Sequence, residues 1–218
     1  MRRFTILHPS GRIAGLVIKR LLSEERFADV QLTLLAEMSE KLAELQGNGR
    51  VTIISGSSRD YEAVLTATKD ADLVFLAKVD DRKFTPTTKN LVKASKENGF
   101  GRVIALSLAG LYYEIPGEFG CWVDEMVGSG RFLPAREAGQ RLEQSGLNYT
   151  LIRMPALTNW PDVKYVTTER GETFEGVSVS RSSVADLVLK AMADPSFAAF
   201  ASVGIVQPEP AGYTRPVY

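Results

Sequence analysis

The chain has 218 residues, 44% of them apolar and 24% charged, a globular composition too hydrophobic for a disordered polymer. Its 26 basic and 26 acidic residues cancel, so the broad positive field that holds phosphate backbones is missing and nucleic acid is not an expected partner. No apolar run reaches the roughly 18 residues that span a bilayer, and the start MRRFTILHPSG lacks a signal-cleavage pattern; a cytoplasmic protein without a membrane partner is expected.

Taken in chain order, RFTIL is a short β-rich run, GRIAGLVIKRLL repeats apolar positions at helical spacing, and VQLTLL is apolar again: a βαβ unit. The alternation continues with VTIIS at 51–55, a helix from Asp60 to about Thr68, DLVFLA at 72–77, a helix over about 86–98 stopped by Asn98-Gly99, and RVIALS at 102–107. A helix over Arg136–Gln144 leads into a sixth strand, YTLIRM at 149–154. The pattern then loosens through prolines and glycines over 155–180. VSVS precedes a helix in which Ser183 and Asp186 have capping-box character, and SVGIVQ at 202–207 reads as a last strand. Strands that are apolar nearly throughout suit a parallel sheet covered on both faces. The expectation is a Rossmann-like, doubly wound α/β domain over 1–207, with six or seven mostly parallel strands, helices on both faces and a small substrate-side region within 110–180. Residues 208–218 read as an extended C-terminal arm through which a homodimer could form.

Cys121 is the only cysteine and His8 the only histidine, so neither a disulfide nor a Cys/His metal site can be assembled within one chain, and no metal is expected. Cys121 reads as a small apolar filler. No serine sits in a G-x-S-x-G elbow. Asp80-Asp81 and Asp124-Glu125 read as solvated pairs, since adjacent acids rarely face each other across a cleft. Arg153 and Arg181, at strand ends, could grip an anionic substrate or pair with a nearby acid.

The first turn, His8-Pro9-Ser10-Gly11-Arg12-Ile13-Ala14, is where a βαβ unit binds a dinucleotide, its backbone amides and helix dipole meeting the pyrophosphate. Laid on G-x-x-G-x-x-G it offers His8, Gly11 and Ala14. The middle glycine is present, the third position is small, and histidine replaces the first glycine. Pro9 also removes one amide donor.

From this turn onward the chain resembles the NmrA-like, atypical branch of the short-chain dehydrogenase/reductase superfamily. The resemblance rests on TILHPSGRIA, GSSRD at 56–60, NLVKASKENGFGRVIALS, SGLNYTLIR at 145–153, LTN at 157–159 and VSVSRSSVADLV at 177–188. It implies an NAD(P)H-binding fold that reduces a quinone, flavin or small carbonyl by hydride transfer; the alternative it offers is a non-catalytic redox sensor or scaffold with a degenerate dinucleotide site. The cofactor contacts it implies are His8, Ser10, Gly11, Arg12 and Ile13 from the first turn, Glu37 after the second strand, Ser57 and Ser58 after the third, Ala77 and Lys78 after the fourth, and Ser107 at the fifth. Glu37, where relatives often carry a basic residue, leans the expectation toward NAD(H) over NADP(H), although Arg12 could partly reverse it. The family's Tyr-x-x-x-Lys pair is replaced by Arg131 and Ala135, or by Phe132 and Arg136 one residue on, and its second serine by Leu108. Ser107 and Tyr112 are the remaining catalytic candidates, acting on a small-molecule substrate.

Overall fold

A computed structural model describes residues 1–208. Strands β1 (Arg2–Leu7), β2 (Val30–Ala36), β3 (Val51–Ser55), β4 (Leu73–Leu76), β5 (Arg102–Leu108) and β6 (Asn148–Met154) alternate with helices, as the apolar runs predict. The helices between them are α1 (Arg12–Ser23), α2 (Tyr61–Ala67), α3 (Pro86–Asn98), α4 (Gly117–Val127) and α5 (Ser129–Glu143). Beyond β6 come β7 (Ala156–Thr158), β8 (Val166–Thr168), β9 (Ser178–Ser180), α6 (Arg181–Ala193) and β10 (Ala201–Val206). The main sheet runs β3-β2-β1-β4-β5-β6-β10-β8, parallel except for its last member, so it holds eight strands rather than six or seven. β7 and β9 form a separate parallel pair.

Burial explains the architecture. One apolar cluster sits between the sheet and α1 with α6, drawing on Ile6, Val17, Leu34, Ile104, Ile152 and Leu189; a second lies on the other face with α2, α3 and α5, drawing on Leu7, Val74, Leu91, Ala105 and Leu151. Side chains alternate across each strand, so a strand covered on both faces must be apolar at consecutive positions. The strand order runs outward in opposite directions from β1 and β4, which are parallel neighbours, and this is the switch point where open α/β sheets leave a crevice beyond the carboxyl ends of their strands. The register brings those ends level: Leu7 pairs with Leu35 and Leu76, and Leu76 with Ala105.

Several sequence expectations are corrected. α4 was not expected, and α5 begins at Ser129, not Arg136. α6 begins three residues earlier than the Ser183–Asp186 pattern implies: the Ser180 hydroxyl caps it by accepting from the Ser183 amide, while Asp186 pairs with Arg20 and Tyr165. Cys121 is exposed on α4, not an apolar filler. Asp80 is buried, and its carboxylate accepts from the Thr88 amide in the first turn of α3, whose N-cap Thr85 makes no side-chain capping bond to the helix. Among the described residues no helix is long and apolar enough to cross a membrane. The C-terminal arm lies, from residue 209 on, outside the described residues.

Candidate dinucleotide site

The first turn leaves β1 at its carboxyl end, where the His8 amide still bonds to Leu35 O (3.3 Å) and the Ala77 amide to Leu7 O (3.1 Å). These bonds extend the ladder past the strands and place His8, Glu37 and Ala77 along one edge. His8, in the place of the first glycine, has φ 62°, the left-handed conformation glycine adopts freely and a side chain adopts at a cost of order 1–2 kcal/mol. Its side chain offsets that cost. Nε2 shares a 2.8 Å hydrogen bond with Ser58 Oγ, which in turn meets Thr87 Oγ1 at 3.0 Å. The imidazole is thus turned toward the loops after β3 and β4, on the Glu37–Lys78 side of the crevice, rather than over Gly11.

Burial, with Lys78 nearby, lowers the His8 pKa to about 4, so the ring is neutral near pH 7. The folded value lies below the unfolded one, near 6.5. Between pH 6.5 and 4 the unfolded chain therefore binds the extra proton, and stability present above pH 6.5 is lost as pH falls through that window. The full shift corresponds to about 3 kcal/mol. Because His8 is the only histidine, His8→Gln should flatten this limb in chemical denaturation series from pH 7 to 4. An unchanged pH dependence in the variant would contradict the assignment.

Gly11 caps α1 with φ −73° and ψ 151°, ordinary extended backbone, and no side chain caps the helix. A Cβ built there would meet only His8 O at 3.6 Å and Ala77 O at 3.8 Å, ordinary contacts. The protein's own packing does not demand glycine here. A pyrophosphate approaching the uncapped first turn would demand it, because a methyl group would stand between the two. Ser10, Gly11 and Arg12 face a large cleft, whereas Ile13 is buried in the core.

Glu37 stands just past β2, exposed, its carboxylate accepting from Ser57 Oγ (2.5 Å) and pairing with Arg59 (3.3 Å). The Ser57 hydrogen bond, then Arg59, hold it below the usual carboxylate range, so it is ionised. Glu37, Arg59, Lys78 and His8 line a small recess beside Asp80 and Thr87. Ser58 is buried beneath it as the His8 anchor, and Ala77 is buried at the end of β4.

Of the two catalytic candidates, Ser107 stands two residues past the level of Leu76 and Tyr112 lies deeper. Ser107 is buried on β5, paired in register with Arg153. Tyr112 donates from its hydroxyl to Glu143 (2.7 Å) and meets Ser202 Oγ at 3.2 Å. Ser202 is paired with Leu151, three residues short of the end of β6, so the phenol lies about 10 Å below the carboxyl edge. Burial pushes it up to about 12. Its proton is committed to Glu143. Of the two registers for the family's Tyr-x-x-x-Lys pair, one holds Arg131, paired with Asp81, and a buried Ala135, and the other a buried Phe132 and an Arg136 that bonds Leu111 O and the Tyr113 hydroxyl.

Arg153 is fully buried and paired with Glu114, so of the two arginines considered for an anionic substrate it is the one tied to an acid. Arg181 remains. It donates to Leu157 O, Thr158 O and Asn159 Oδ1, and Asn159 and Trp160 join the cleft wall, positions to which sequence reading gave no role in binding an anion. Among the described residues no group of three or more His, Cys, Asp or Glu is placed to hold a metal.

Comparison with known proteins agrees with this geometry. The profile of the NAD(P)H-binding family matches residues 10–195, and the chain belongs to that family. A short-chain dehydrogenase/reductase from Veillonella parvula, solved in complex with NADP, superposes with a TM-score of 0.91 at 27% identity over 100% of this chain and 99% of that one. A Rossmann-fold NAD(P)-binding protein from Shigella flexneri gives 0.82 at 27% identity, with the same coverage. An anaerobilin reductase from Escherichia coli shares the fold alone, with a TM-score of 0.77 at 14% identity over 97% of this chain and all of that one. No curated protein matches. The resemblance to atypical short-chain dehydrogenases/reductases therefore holds at the level of family, and the chain has an NAD(P)H-binding, oxidoreductase-like fold.

Proposed function

We propose that the protein is an NAD(P)H-dependent reductase whose cofactor lies across the carboxyl edge of the sheet. The observation that carries this reading is Gly11: a glycine that its own fold does not require, opening an uncapped helix at the switch point. Ser10, Gly11 and Arg12 present the first turn to the pyrophosphate. Glu37 and Ser57 face the adenosine ribose, with Lys78 and Ala77 beside the base and His8 forming the floor between them. A dinucleotide bound there supplies a hydride.

The chain's own contribution is positioning and exclusion of water, which suits quinones and flavins because their reduction demands little of a dedicated protein acid. Tyr112 takes no proton-donating role while it is bonded to Glu143. A second reading, binding without turnover, draws on the same observation together with Arg131 or Phe132 in the tyrosine position.

The ionised Glu37 favours NADH, since it accepts from ribose hydroxyls and repels a 2′-phosphate. The Veillonella relative was solved with NADP, so selectivity in this chain rests on Glu37 and its Arg59 partner. Replacing Glu37 by arginine should shift the NADPH/NADH affinity ratio at least tenfold toward NADPH; an unmoved ratio would remove Glu37 from the ribose. Turnover is tested by NADH oxidation with menadione or FMN as acceptor. Cofactor binding without oxidation of NADH by either would favour the non-catalytic reading.

A further inference from the structure

The cleft that begins at the first turn runs along α1 with a volume of about 910 Å³, far more than a turn needs to seat a pyrophosphate. Its lining carries Arg12, Lys19, Lys41 and Arg181 against a single acid, Glu44, although the chain as a whole is neutral. Between the charges lie Leu16, Leu42, Leu45 and Trp160.

At its mouth, two guanidiniums converge on one neutral atom. Arg12 Nη1 donates to Asn159 Oδ1 at 3.3 Å and Arg181 Nη1 donates to the same oxygen at 2.8 Å. Arg181 also reaches Leu157 O and Thr158 O, again through Nη1. Ten of the described ion pairs involve arginine, yet neither Arg12 nor Arg181 is in any of them. Burial and the neighbouring Arg12 both lower the Arg181 guanidinium, the expected consequence of two cations gathered without an anion. An amide oxygen organises the pair and neutralises none of its charge. A carboxylate, with two oxygens matched to guanidinium forks, would do both.

We infer that Arg12, Arg181 and Asn159 form a clamp for the acidic group of the substrate, and that the substrate is an amphiphilic organic carboxylate whose apolar body lies along Leu16, Leu42, Leu45 and Trp160. This deepens the reductase reading and rests on it. The pyrophosphate of the cofactor is the competing anion for Arg12, whereas Asn159 and Arg181 directly follow β7 and β9.

The test uses titration calorimetry of the full chain, alone and saturated with NADH, with decanoate and decanol as probes sharing one tail. The expected result is decanoate binding at least tenfold tighter than decanol. Asn159→Asp keeps the acceptor for both arginines but places a carboxylate in the clamp. It should abolish that preference while leaving NADH affinity within threefold. Arg181→Gln should do the same; if it fails to fold, Asn159→Asp alone decides. Equal binding of decanoate and decanol, with NADH bound normally, would overturn the clamp and leave the reductase reading standing. A fall in NADH affinity as large as the fall for decanoate would return the cluster to the cofactor. Absence of NADH binding in the unmodified protein would overturn both.

Discussion

Glu114→Gln should destabilise the protein by about 3–5 kcal/mol, the cost of leaving a buried cation without its partner. The carboxylate is 1% exposed and the Arg153 guanidinium 0%, joined at 2.5 Å. Glu114 also accepts from the Gly110 amide (3.0 Å) and the Tyr112 amide (2.8 Å), while Arg153 Nη2 donates to Glu169 O (3.0 Å). One side chain thereby fastens the turn after β5 to the sheet, and the other fastens the segment around β8. The Glu114 carbonyl adds a bond from the Phe174 amide. Glutamine keeps the shape but not the charge. In a domain of this size the loss should lower the melting temperature by about 10 °C. Removing both charges, as Glu114→Gln with Arg153→Met, should recover most of it, because a neutral pair of similar volume carries no buried charge to desolvate. A single-variant loss below about 1 kcal/mol would show that the pair is not what holds these segments.

Gly11→Ala should leave the fold intact and cost at least tenfold in dinucleotide affinity. Two small effects on stability oppose each other: alanine restricts the unfolded chain at a backbone geometry it adopts without strain, yet it is a poorer N-cap than glycine. Each is about 0.5–1 kcal/mol, so the melting temperature should move by no more than about 2 °C. Affinity responds differently, since the new methyl group has room against the protein only because nothing of the protein occupies the space above it. An unchanged affinity would mean that the pyrophosphate does not approach this turn.

The sheet was legible because strands buried on both faces carry apolar residues at consecutive positions: β4 is apolar throughout, and β1, β2, β5 and β6 each hold consecutive apolar residues. What escaped has equally local causes. β8 is a three-residue edge strand with two exposed members, too short for any periodicity to register. The upstream part of α5 contains Gly130 and Pro134, residues that read as breakers, and Pro134 sits within the helix nonetheless.

At the site, the glycine turn was proposed from its place between β1 and α1, and Glu37 from its place after β2 together with the family resemblance, since both lie within a few residues of strand ends. The role of His8 was not legible: a left-handed histidine anchored on a serine 50 residues away is a tertiary fact. Likewise Arg153 was read as a possible substrate contact because its partner, Glu114, lies 39 residues distant. Asn159 lies 147 residues from Arg12, and no sequence pattern connects them.

The claim on which the rest depends is that the first turn holds a dinucleotide. Calorimetric titration of the purified protein with NADH and NADPH tests it most directly. Binding tighter than about 100 μM, about −5.5 kcal/mol, is predicted, with NADH the tighter of the two. No heat and no thermal shift with either cofactor would contradict it.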